Sequence, residues 1–199
     1  MRARAFIVIM FAVLVLLAAR FSTESLAASG LPSWRPPAKM LNQLETEMWM
    51  GEYAMRPPAG SILQKLRVSP PRSGFTRMWA WTGPRREDGS IAGLVVKVVS
   101  LKTEPASLDR AVRDELAALK MRKKGRSPTP TEYGRINGLA FAVTRWTGTN
   151  DLRGLDIAGF TYVAVDGNSL ITISSEDAVG YDVQTLPITE ASARTFRRR

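Results

Sequence analysis

The 199-residue chain has no cysteine and no histidine. Thiolate nucleophiles, Ser-His-Asp triads and imidazole proton shuttles are therefore excluded. Zinc, copper and haem lose their usual protein ligands. A lipid cannot be attached through cysteine, and no disulfide is available to staple a small core. The only reactive groups left are carboxylates, lysine, tyrosine, serine and threonine. The chain also contains no Gly-x-Ser-x-Gly elbow, no Ser-x-x-Lys, no P-loop, no Gly-x-Gly-x-x-Gly and no Asn-x-Ser/Thr acceptor. Long apolar runs are equally scarce. The one present, Ala5 to Ala19, is shorter than the roughly 20 residues that span a bilayer.

That run has a characteristic setting. Arg2 and Arg4 precede it, mostly polar residues follow from Arg20 to Glu24, and small residues close the segment at Ser25-Leu26-Ala27-Ala28. The order basic, apolar, small reads as a secretory signal peptide over residues 1–27, cut after Ala27, and implies an extracytoplasmic protein, periplasmic or secreted. The competing reading is an uncleaved anchor through residues 5–19, extended by Phe21 and Leu26. Arg20 interrupts such a span. About 170 residues remain, enough for one domain with a sizeable core.

The whole chain carries a formal charge of +10. Without Arg2, Arg4, Arg20 and Glu24 it holds 25 basic against 17 acidic residues, about +8. An exported basic domain suits an envelope protein partner or an anionic surface. Nucleic acid is not expected, because the basic runs hold no interleaved aromatic residues. The positive charge is concentrated in Lys120-Met-Arg-Lys-Lys124 with Arg126, and in Arg197-Arg-Arg199. The first tract reads as the last turn of a helix, where cations complement the macrodipole. The second reads as a frayed, solvated tail.

Residues 28–48 read as a proline-bearing linker or short helix, with apolar spacing from Met40 to Trp49 that suits a helix, and residues 49–199 as a single domain; Trp49 to Met55 equally suits the start of a strand. Pro57-Pro58-Ala59-Gly60 forms a turn. Strands are expected at Phe75–Trp81 and at the β-branched run Leu94–Leu101. Ser107 offers an N-cap for a helix whose stripe is Leu108, Ala111, Val112, Leu116 and Leu119, closed by Gly125. Asn137-Gly138 and Asp166-Gly-Asn168 each join two strands in a hairpin. Pro187 is expected at the first position of a final helix. Strands, helix, four strands and helix, with hairpins throughout, give an α+β fold: an α/β/α sandwich with a mostly antiparallel central sheet and two main helices.

Trp-Thr-Gly occurs twice, at Trp81 and Trp146, each time entering a loop with arginine: Arg85 and Arg86, then Arg153. If the two strands are close, Trp81, Trp146, Arg85, Arg86 and Arg153 form a surface for a planar ligand or an anion. Packing of both tryptophans under helices is the alternative. Glu176, Asp177 and Asp182, with Asp151 and Asp156, are acidic clusters without the spacing of a calcium loop. No metal or other cofactor is expected.

Several short motifs resemble the PsbP-like family of α/β/α sandwiches. They are Tyr53-Ala-Met-Arg-Pro-Pro58 with Gly60, Trp79–Trp81 before Asp88-Gly89, the helix from Ser107, Ile136-Asn-Gly138, Val165-Asp-Gly167 and Leu186-Pro187. The resemblance covers roughly Trp49 to Phe196 and is similar to the exported bacterial branch of unknown function. It implies a non-enzymatic binding or assembly module. The expected function is thus an exported, non-catalytic binding or assembly domain of the cell envelope. The alternative is a carboxylate-dependent hydrolase of envelope polymers, which requires two acidic side chains converging in one cleft.

Overall fold

Alternating burial along the strands builds an antiparallel sheet with two covered faces. The computed structural model describes residues 30–65, 74–102, 107–122, 125, 127–150 and 154–199. The leader, Asp151, Arg153, Lys123, Lys124 and Arg126 lie outside the described residues.

The main sheet contains β3 (Ile62–Lys65), β4 (Gly74–Thr82), β5 (Gly93–Leu101), β10 (Ser169–Ala178), β9 (Leu155–Asp166) and β8 (Leu139–Asn150), hydrogen-bonded in that order. Beyond β8, its outer edge is shared by β6 (Ser127–Pro128) and β7 (Glu132–Ile136). A separate small sheet joins β1 (Met48–Met50), β2 (Tyr53–Met55) and β11 (Arg197–Arg198). Helices α1 (Leu108–Arg122) and α2 (Asp182–Ala193) are the two main helices, and a 3-10 helix spans Ala38–Gln43. The fold is α+β with a mostly antiparallel sheet. The residues from Ser33 to Arg199 make one compact unit.

The register shows which face each helix covers. Leu94, Val96 and Val98 of β5, Ile171 and Ile173 of β10, and Phe160 and Tyr162 of β9 bury one face against Met50, Tyr53, Met55, Ala193 and Phe196. The opposite face places Ala142 and Val163 against Ala111 and Val112 of α1. The stripe read from the sequence is thus the core-facing side of that helix, and Lys97 reaches Glu115 on it at 3.0 Å.

Both hairpins form where the turn residues indicate. Asn137 (φ 47°) and Gly138 (φ 90°) adopt positive φ, as a two-residue type I′ turn demands. Asp166 pairs with Ser169 across Gly167-Asn168, and Gly167 has φ 54°. Asn137 does a second job, because its side-chain amide donates to the Phe196 carbonyl at 2.9 Å.

Four local expectations are corrected. The helical spacing over Met40–Trp49 gives only a six-residue 3-10 turn at Ala38–Gln43, and of the two readings open for Trp49 the strand is the one that forms, in a hairpin whose turn uses Gly51 at φ 76°. The preceding segment is bonded into the unit, since the Trp34 amide donates to Arg135 and the Trp34 ring lies over Gly134. Pro187 sits inside α2, which begins five residues earlier. Its missing N–H cannot donate to the carbonyl of Val183 one turn earlier, and Val183 is 69 % exposed. The arginines read as a frayed tail form β11: Arg197 grips Glu47 through two 2.7 Å hydrogen bonds, and Arg198 reaches Asp166 at 2.9 Å.

Candidate functional site

The loop between β4 and β5 folds back on itself before it meets the sheet. The Ser90 amide donates to the Asp88 carboxylate, the Arg86 amide donates to the Ser90 carbonyl, and Gly89 takes φ 76°. This closed loop turns Arg86 inward, towards the end of β10. There its guanidinium meets both oxygens of Asp177, one at 2.7 Å, and donates to the Ser90 and Thr185 hydroxyls at 3.2 Å. The Asp177 side chain is fully buried and also accepts the Ala178 amide. The Tyr181 ring lies 4.1 Å from the guanidinium carbon. The hydrogen bond to Asp177 is the main cause holding Arg86 above the ordinary arginine pKa.

Arg86, held from behind by Asp177, forms part of the wall of a cavity of about 450 Å³ at the end of the sheet beside α2. Trp81, Ala92 and Leu94 supply its apolar floor. Pro58, Ala59 and Gly60 of the proline turn, with Asn42 and Gln43 of the 3-10 helix, close one side. Ile188, Thr185 and Thr189 of α2 close the other. The volume lies in the range of small-ligand pockets. Among the described residues Arg86 is the one charged residue of the lining, and Asp177 neutralises it. The hydroxyls are committed too: Ser61 donates to the Pro58 carbonyl, and Thr189 to carbonyls one turn back in α2. Chemically, this is a neutral, mostly apolar recess with fixed dipoles on its walls.

The paired Trp-Thr-Gly surface does not assemble. Trp81 pairs with Leu94, Leu94 with Ser175, Ser175 with Phe160, and Phe160 with Arg145. Three strands therefore stand between the two tryptophans, roughly 19 Å at the usual spacing. Trp146 follows Arg145, so its side chain emerges from the opposite face of the sheet. Both rings are almost wholly buried, each 3 % exposed. Trp81 and Arg86 do share the cavity, whereas Arg85 is exposed on the loop and Arg153 lies outside the described residues. Trp146 instead lines a smaller groove under α1.

The acidic clusters likewise disperse. Glu176 and Asp177 are neighbours on β10 and so point to opposite faces. Asp182 accepts the Gly180 amide, and Asp156 accepts the Thr149 hydroxyl. Among the described residues no group of three or more carboxylates gathers into a metal-binding cluster. A second buried network lies on α2, where one oxygen of Glu190 accepts from Tyr162, Arg194 and Arg145 at 2.6–2.8 Å. Burial first, then the neighbouring Glu190, pushes the Tyr162 phenol well above its usual pKa.

Sequence reasoning named Arg86 but missed its partner, because 91 residues separate it from Asp177. It read Ile188 as a buried position of the final helix but not as a cavity residue, and it missed Thr185 and Thr189; Thr185 is helical because α2 starts before Pro187.

No family model matches the chain, and no curated protein does. Among solved structures it is similar to PA94, a protein of unknown function from Pseudomonas aeruginosa. The likeness has a TM-score of 0.51 at 12% identity and covers 79% of this chain and 98% of that one. A second likeness is to cyanobacterial PsbP (CyanoP) from Synechocystis, with a TM-score of 0.48 at 13% identity, covering 74% and 87% of the two chains. The likeness to PA94, at 12% identity, shows a shared fold alone.

Proposed function

We propose that the chain is an exported, non-catalytic binding module of the PsbP-like family, and that it receives its partner at the cavity beside α2. One observation carries the reading: a preformed recess of about 450 Å³ whose single charge is already neutralised. Such a wall recognises an uncharged, apolar group, for example a side chain or loop of another envelope protein. The hydroxyls lining it donate to backbone carbonyls, and among the described residues no carboxylate lines it to serve as their base. The motifs from Tyr53 to Pro187 and the likeness of fold support the family, and residues 1–27 support export.

The test is recovery of a partner from envelope extract by the wild-type protein and by Ile188→Trp, which fills the cavity from a half-buried position. A partner retained by the wild type and lost by the variant supports the proposal. Equal recovery by both, or none at low and physiological salt, refutes it. Amino-terminal sequencing of the mature protein is expected to start at Ala28. An intact leader in the membrane fraction refutes release.

A further inference from the structure

One flank of the apolar stripe of helix α1 borders a groove. Arg113, Leu116, Ala117 and Lys120 follow the spacing i, i+3, i+4, i+7, so two leucine- and alanine-bearing turns are bracketed by cations roughly 10 Å apart. This flank forms one bank of the groove, about 280 Å³ in volume. Leu119 deepens it, and Pro128 of β6 and Trp146 of β8 form the other side. The indole N–H of Trp146 donates inward to Thr161 at 3.3 Å, so the ring presents carbon to the groove.

The charges of the helix are sorted. Asp109 accepts the Tyr133 hydroxyl at 2.9 Å, Asp114 lies beside Arg110, and Glu115 holds Lys97. Among the described residues no carboxylate lines the groove, and neither Arg113 nor Lys120 has an ion-pair partner. An apolar trough with a cation at each end complements a molecule with an apolar body and an anionic head. Inorganic anions would use the cations and waste the trough. An acidic amphipathic helix is far larger than the space.

We propose that this groove binds a single-chain anionic amphiphile, a long-chain carboxylate whose acyl chain lies against Trp146 and Leu116 while its head meets Arg113 or Lys120. This is independent of the cavity beside α2, on the other face of the sheet.

The experiment is titration calorimetry of the full chain with octanoate, decanoate and dodecanoate below their micellar concentrations, with 1-decanol as the uncharged probe. Affinity is expected to rise about fourfold per added methylene until the groove is full. The double variant Arg113→Gln/Lys120→Gln, at two exposed positions, is expected to weaken decanoate at least tenfold and leave 1-decanol unchanged. Ala117→Trp, which fills the groove from the helix surface, is expected to remove both. Decanoate binding that is equal in the wild type and all variants overturns the proposal, because the ligand is then elsewhere on the chain. No heat with any carboxylate overturns it, as does binding of inorganic phosphate alone or of anionic vesicles alone.

Discussion

Replacing Arg86 by methionine exposes the energetics of the cavity wall. Asp177 would keep only the Ala178 amide as a donor, in a site where its side chain has no solvent exposure. Removing one partner of a buried pair costs about 3–5 kcal/mol, because an uncompensated charge stays behind. The reverse change, Asp177→Leu, costs less, about 2 kcal/mol, since Arg86 is already 20 % exposed and turns towards the cavity mouth. The double variant Arg86→Met/Asp177→Leu leaves no charge and similar volume, so it should fall within about 1 kcal/mol of the wild type. In a chain of this size the single Arg86→Met change corresponds to a drop in Tm of roughly 6–20 °C. Urea unfolding followed by far-ultraviolet circular dichroism at pH 7 measures all four proteins. The reasoning is refuted if Arg86→Met costs less than about 1 kcal/mol, or if the double variant costs the sum of the singles.

Three further outcomes are expected. Burial, reinforced by its hydrogen bond to Asp166, pushes the Tyr53 phenol up to about 12, so the unfolded chain loses that proton first as pH rises past 10. Stability present below pH 10 should then fall by roughly 2–3 kcal/mol towards pH 12, with Tyr162 adding in the same direction. A urea midpoint unchanged between pH 9 and 11.5 contradicts this. Phe196→Ala removes a fully buried ring stacked on Tyr53 at 5.2 Å and set edge-on to Phe141, and should cost about 3–5 kcal/mol in the same unfolding assay. Gly159→Ala drives a methyl group into the Ser175 carbonyl and the Trp146 ring, and should cost about 1–3 kcal/mol; a neutral result would show that this strand is not so closely packed.

The turns were legible in the sequence because their chemistry is local. Asn137-Gly138 and Asp166-Gly-Asn168 specify positive φ with no help from the rest of the chain. The helical stripe from Leu108 was legible for the same reason, since 3.6-residue periodicity is a property of neighbours. Strand order is not local. Nothing near Trp81 or Trp146 states that β5, β10 and β9 intervene, or that the register places the two rings on opposite faces. Pro187 misled for a physical reason: proline prefers the first turn of a helix, but here it sits deeper, where the residue whose carbonyl loses its i+4 donor, Val183, is exposed. The arginine tract at 197–199 looked solvated by composition, and only Glu47, Glu52 and Asp166, all remote in sequence, make it a strand.

That strand also sets a timetable. β11 pairs with β2 across more than 140 residues, and Phe196 beside it completes the core around Tyr53. A ribosome adding about 5–20 residues per second needs roughly 7–30 s between the two. Throughout that interval the first hairpin has no third strand, and Met50, Tyr53 and Met55 have no lid. The small sheet and the core beneath it therefore close only once residues 196–198 have been made.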